Sequence, residues 1–222
     1  MLSAVDIFNQ ETKILVTLIS KGFITDQNFP SIKDGKNDSQ YLTNSNNSQT
    51  NLSIALDDNM PYCDIYDDLC KNRCFICKFI DGALIQLMYT FKQNKIHKHR
   101  LAFFSSPYLE KYQNEPEFYS DNVMYSDILK KNIVAFPVRF DFENYDKEDS
   151  SHPKSHLTLG QYKNCRIPVT SPLTPLQFFD FILRNFYNSA YIEFGKEIFK
   201  DTDHFVKSIT DDECKITHLC VQ

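Results

Sequence analysis

Glycine is scarce in this chain. Five residues (Gly22, Gly35, Gly82, Gly160 and Gly195) serve 222 positions, and all are scattered. A dinucleotide fingerprint or a phosphate loop needs clustered glycines, so that backbone N–H groups can approach phosphate oxygens. Neither can be built here, and no nucleotide cofactor is expected. Gly195–Lys196 lacks the rest of a phosphate-loop motif, and no G-x-S-x-G nucleophile elbow is present.

An overall basic excess is also lacking. The formal net charge is -5 and the pI about 5.7. That excludes a general nucleic-acid coating protein but leaves room for a nuclease with one local basic groove. No uncharged apolar run approaches the roughly 18–20 residues of a membrane span. Asp6, Glu11 and Lys13 interrupt the apolar run of the first twenty residues, so no signal-peptide core is expected. The seven cysteines are an odd number without framework spacing. Together these features point to a cytoplasmic protein with reduced thiols and no membrane partner. Cys70, Cys74 and Cys77 make no zinc knuckle, because Cys74 and Cys77 would face opposite sides of a strand and no second pair completes a site. No structural zinc is expected.

What is present suffices for a real core, with 42% apolar and 14% aromatic residues. Val5, Ile7, Phe8, Leu15, Leu18 and Ile19 recur at helical spacing over residues 4–19. Residues 31–51, rich in Ser, Asn, Asp and Gln, read as a polar flexible insertion. "MPYCDIYDDLCKN" adds a short helix after Pro61. "CFICKFIDGALIQLMYTF" is a hairpin about Asp81–Gly82. A basic tip, "KQNKIHKHR", follows, and then four strands in "LAFFSS", "NIVAFPVRFDFE", "SHLTLG" and "CRIPV". Thr174 as N-cap and Pro175 at the first helical position open a helix burying Phe178, Phe181, Ile182 and Phe186. A second helical stretch spans about 189–208, and "CKITHLCV" closes as a last strand. The order predicts one α+β domain over residues 1–222. It would be a mostly antiparallel sheet of about six to seven strands, with an N-terminal helix and a C-terminal helix pair packed on it.

The segments "IDGALIQLMYTF", "HRLAFF", "FPVRFDFE" and "HPKSHLTLGQYKNCRIPVTSPLTP", followed by "FILRNFY", carry a resemblance. Over about residues 60–190 the chain resembles a bacterial family known as domain of unknown function 2290. The polar segment near 31–51 looks peculiar to this member, and the family implies no settled activity. The R-x-D and H-P-x-x-H spacing of Arg139, Asp141, His152 and His156 is also similar to small bacterial toxin-like proteins suspected of acting on RNA. That likeness implies a toxin or phage-defence setting.

Strand alternation supplies a candidate site without any resemblance. Residues two apart share a face. Arg139, Asp141 and Glu143 therefore lie opposite Phe140 and Phe142, while His156, Thr158 and Gly160 lie opposite Leu157 and Leu159. Pairing the two strands through their apolar faces gathers Arg139, Asp141, Glu143, His156 and Thr158 into one patch. His152 and Arg166 are accessory candidates. Such a face is also what a half-exposed antiparallel sheet carries as ordinary solvated charge. As chemistry, Asp141, Glu143 and His156 offer a ligand set for Mg²⁺ or Mn²⁺, with Arg139 to stabilise phosphate charge. Lys95, His97, Lys98, His99 and Arg100 would contact a nucleic-acid backbone from the hairpin tip. Ser155 reads as structural.

Three functional readings follow. The first is a metal-dependent, nuclease-like enzyme acting on a phosphodiester. The second is a non-catalytic binding or regulatory subunit. It would meet a partner protein or a second copy through the Phe-rich helix at 175–190, whose rings exceed what one helix face buries. The third is a two-His phosphoesterase pairing "HLTL" at His156 with "HLCV" at His218, where Cys220 replaces the expected hydroxyl residue.

Overall fold

The computed structural model describes residues 2–43, 60–108, 135–145, 152–162, 164–199 and 203–221. Helix α1, Ala4–Ser20, opens on a capping box in which Ser3 and Asp6 satisfy each other's backbone N–H groups. Gly22, at φ +68, lets the chain leave the helix. The buried stripe is Ala4, Ile7, Glu11, Ile14, Leu15 and Leu18. Val5 and Ile19, expected in that stripe, are exposed.

Nine strands among the described residues form one antiparallel sheet. Strand β1, Ile24–Gln27, precedes a hairpin of β2, Ser31–Asp34, and β3, Ser39–Thr43. After α2, Tyr62–Lys71, come β4, Cys77–Phe79, β5, Leu84–Lys92, and β6, Lys95–Phe104. Strands β7, Pro137–Glu143, β8, Ser155–Leu159, and β9, Ile167–Pro168, complete it. The spatial order is β1-β4-β5-β6-β7-β8-β9. One edge of the long β5 is shared, with β4 pairing at Leu84 and Ile85 and β3 pairing at Tyr89 to Lys92.

The α+β architecture expected from sequence is the one observed, with corrections in its parts. Residues 31–43 are not a flexible insertion, since they pair as β2 and β3 and the sheet buries Leu42. Asn37 and Asp38 take positive φ in the turn, as short polar side chains allow. Residues 44–51 lie outside the described residues. The basic segment is not a hairpin tip either. The turn is Gln93–Asn94, both at positive φ, and Lys95 to Arg100 already belong to β6. "CKITHLCV" forms no strand; Val169 and Leu219 make one isolated parallel bridge there.

Helix α3, Pro175–Phe186, has the capping box that Thr174 and Pro175 announce, completed by Gln177. Short helical turns follow over Asn188–Ala190, Tyr191–Gly195 and Lys196–Ile198. The second helical stretch expected over 189–208 thus ends near 198. Residues 200–202 lie outside the described residues, and 203–208 carry no helix.

α3 packs on the sheet through rings. Phe140 meets Phe178 and Phe181 edge-on at 6.0 and 5.2 Å, and Phe103 stacks on Phe186 at 5.1 Å. Phe178 and Phe179 are fully buried, while Phe181 and Phe186 pack against the same core. The rings that suggested an interface at 175–190 thus pack against the chain's own core, Phe181 and Phe186 only in part. On the other sheet face α2 covers Leu84, Ala102 and Phe104 with Ile65, Tyr66 and Leu69. Cys74 belongs to that smaller core and Cys77 to the larger one, so the two thiols are separated by the sheet.

Candidate functional site

Where α2 stops covering the second sheet face, the side chains become polar. Strand register sets them in rows. Arg100, Asp141 and His156 are successive partners across β6, β7 and β8. Ala102, Arg139 and Thr158 form the next row, and Lys98 pairs with Glu143 on the other side. Arg139, Asp141, Glu143, His156 and Thr158 therefore do share one face, and Phe140, Phe142 and Leu157 are buried on the opposite one. Leu159 departs from that pattern: it is exposed, because the strand ends there.

These rows line a cavity of about 280 Å³. Among the described residues, Lys98, Arg100, Arg139, Lys154 and Arg166 contribute five cationic groups to its lining, against the two acids Asp141 and Glu143. Asp141 sits at the centre. Arg100 Nε donates to its Oδ1 at 2.7 Å, and Arg139 Nε lies 3.5 Å from its Oδ2. All three side chains are about 15% exposed, so water screens them little. Burial pushes the Asp141 carboxyl up, but the Arg100 and Arg139 guanidiniums outweigh it and hold the group below its ordinary value. Glu143, at the rim, pairs with Lys98 at 2.9 Å and is about half exposed.

His156 is buried in the cavity wall. Its Nδ1 lies 3.0 Å from the Pro153 carbonyl oxygen, which can only accept, so Nδ1 carries the proton. Nε2 is then the basic nitrogen and has no hydrogen-bond partner among the described residues. Burial lowers the His156 pKa despite the opposing pull of Asp141, with His152 and Arg166 lowering it further. The imidazole is thus neutral near pH 7. His152 comes within 5.5 Å of it, ring to ring, and is held by the Tyr145 hydroxyl, which reaches both its Nδ1 at 2.9 Å and its carbonyl oxygen. Thr158 and Cys165 complete the wall, and Leu159 N–H donates to Cys165 Sγ. Ser155 is structural, as expected: its hydroxyl donates to Ser171 on the core side.

A divalent cation on Asp141, Glu143 and His156 does not fit this arrangement. Two guanidiniums occupy the Asp141 oxygens, a lysine takes Glu143, and no three metal-ligating side chains cluster among the described residues. His99, among the expected nucleic-acid contacts, buries its ring in the core instead. Alternation turns it away from Lys98 and Arg100, and its Nε2 accepts from Leu173 N–H beneath the sheet. Of the other four, Lys98 and Arg100 line the cavity, while Lys95 and His97 do not. His218 lies outside the cavity, its Nδ1 against the Ile216 carbonyl, so the two-His pairing with His156 is not formed. Lys154, Tyr145, Tyr162 and Cys165 were missed by strand alternation because they sit beyond the strand ends.

A family model described as an uncharacterized conserved protein, DUF2290, matches residues 23–221. The chain belongs to that family. The match extends well past the stretch recognisable in the sequence, taking in the β2–β3 hairpin and the C-terminal segment. No curated protein and no solved structure matches the chain. No helix among the described residues is long and apolar enough to cross a membrane.

Proposed function

We propose that the cavity on the β6–β8 face binds the phosphate of a phosphodiester and cleaves it by acid–base chemistry at His156. The observation that carries this reading is the cation surplus around a neutral imidazole with a fixed tautomer. In a protein of net charge -5, a cavity whose described lining holds three more cations than acids would draw anions locally. Arg139 and Arg166 would neutralise charge developing on the phosphoryl oxygens, with the Thr158 hydroxyl as a neutral donor. His156 Nε2 would take the proton of the attacking hydroxyl as the new P–O bond forms. The bond to the leaving oxygen breaks as that oxygen is protonated from the cavity, where His152 is the nearest second imidazole.

The test is cleavage of labelled RNA and DNA oligonucleotides, both in chelator and with added Mg²⁺ or Mn²⁺. His156→Ala should lower the rate about 100-fold or more while leaving oligonucleotide binding in place. Arg166→Ala should weaken binding. Equal rates for wild type and His156→Ala would remove the catalytic assignment. If binding also survives Arg139→Ala and Arg166→Ala, the cavity is not the phosphate site. Binding lost in these variants, with no turnover in any condition, would leave a non-catalytic anion-recognition module.

A further inference from the structure

One aromatic side chain at the cavity mouth is unlike the rest. Tyr162 is 77% exposed, although most rings of this aromatic-rich chain are packed. It lines the same cavity as the arginines and His156. Its exposure is not that of a loose loop tip. Gly160 N–H donates to the Pro137 carbonyl at 2.7 Å, Gln161 Nε2 to the Met60 carbonyl at 2.9 Å, and Cys165 N–H to the Tyr162 carbonyl at 3.2 Å. The ring lies against Gly160, where an added side-chain carbon would stand 3.4 Å from two ring carbons. Gly160 also takes φ +65, which disfavours any larger residue. A pinned backbone with a glycine-backed, solvent-facing ring is a preorganised stacking surface, and every nucleobase offers a face to stack.

We infer that Tyr162 stacks the base of an unpaired nucleotide whose phosphate occupies the cationic cavity. The ligand class is then a single-stranded nucleotide unit rather than a bare phosphate or a paired duplex. A base already stacked within a duplex has no free face to offer. This inference rests on the phosphate reading of the cavity, and its test separates the two.

Adenosine 5′-monophosphate and ribose 5-phosphate present the same phosphate and sugar, with and without a base. Titration of each into the full-length protein, followed by calorimetry, should show the nucleotide binding roughly ten-fold more tightly. Tyr162→Ala should abolish that difference and leave ribose 5-phosphate unchanged, while Tyr162→Phe should keep it. Equal binding of the two probes by wild type, or an equal loss of both in Tyr162→Ala, overturns the stacking role while sparing the phosphate site. If neither probe binds, the phosphate reading fails and takes this inference with it. Oligo(rA) binding above that of the mononucleotide would assign the unit to a chain, and equal binding to a free nucleotide; both sustain it. Preference for duplex RNA over oligo(rA) would overturn it.

Discussion

Glu11 should make this protein less stable as pH rises, and its replacement should remove that dependence. The side chain is fully buried in α1, and neither carboxyl oxygen accepts a hydrogen bond among the described residues. Burial alone pushes its pKa well above the ordinary range. In the unfolded chain Glu11 ionises near about 4.3. Between that value and the raised folded value, the folded state holds a proton that the unfolded state has released. The Glu11 contribution is therefore complete below about pH 4.3 and falls by about 1.4 kcal/mol per pH unit above it, levelling once the folded pKa is passed. Glu11→Gln keeps the shape and abolishes the titration. Its advantage over wild type should grow at that slope until the raised folded value is reached. Urea unfolding of both proteins in half-unit steps from pH 4 to 8 measures the difference directly. Two curves separated by a constant would refute the argument, because a constant offset is packing and only a slope reports a proton. Glu11→Met, which also removes the unsatisfied oxygens, should be at least as stable as Glu11→Gln at every pH.

Other consequences follow from the same geometry. Burial lowers the His99 pKa to about 3, so the unfolded state takes up a proton near about pH 6.5 that the folded state refuses. Stability should fall by about 4–5 kcal/mol as pH drops from 6.5 to 3, and His99→Gln should flatten that limb in acid-unfolding curves. Asp141→Asn leaves Arg100 and Arg139 facing each other in a poorly solvated site, and denaturant unfolding should record a loss of about 3 kcal/mol. Because the Asp141 carboxyl is held low, the wild-type contribution is present above its ordinary value and is lost only as pH falls through the lowered one. Glu143→Gln breaks an ion pair with about half of each side chain in solvent, and should change stability by less than about 1 kcal/mol. If His156 is the base, the acid limb of the cleavage profile should lie below about 6.5, since its pKa is lowered.

The parts of the fold that were legible in the sequence are those where one local rule decides. Thr174, Pro175 and Gln177 specify a helix start without tertiary help, and the Phe140/Phe142 alternation assigns the faces of β7. β2 and β3 were illegible because their apolar content is little more than Ile32, Tyr41 and Leu42. Their stability comes from pairing to the free edge of β5, a contact between residues some fifty positions apart. The basic segment misled for the opposite reason. A run of charged residues resembles a solvated tip, but each side chain's fate is set by strand parity. Lys98 and Arg100 go to the cavity and His99 to the core. Glu11 sits in an apolar stripe at helical spacing, and no pattern in the chain distinguishes a buried carboxyl from one that escapes to water.

The same parity explains why the site reads as an anion site although it is centred on an acid. From β7 alone, Asp141 and Glu143 look like two ligands for a cation. The decisive neighbour is Arg100, which stands opposite Asp141 on β6, and no property of the β7 sequence reveals it. Once β6 is in register, Asp141 is shared between two guanidiniums, and that three-residue unit carries a net positive charge. A carboxylate so placed cannot also hold a divalent metal without setting the metal against both arginines. What it can do is fix the arginines in one geometry, at a cost in side-chain freedom already met in the free protein. A phosphate entering the cavity would then meet donors that need no reorganisation, with His156 Nε2, which no described residue engages, beside them. On this argument Asp141 is a positioning residue. Asp141→Asn should weaken phosphate binding through misplaced arginines, whereas removing Arg166, which pairs with no carboxylate among the described residues, should weaken it by loss of charge.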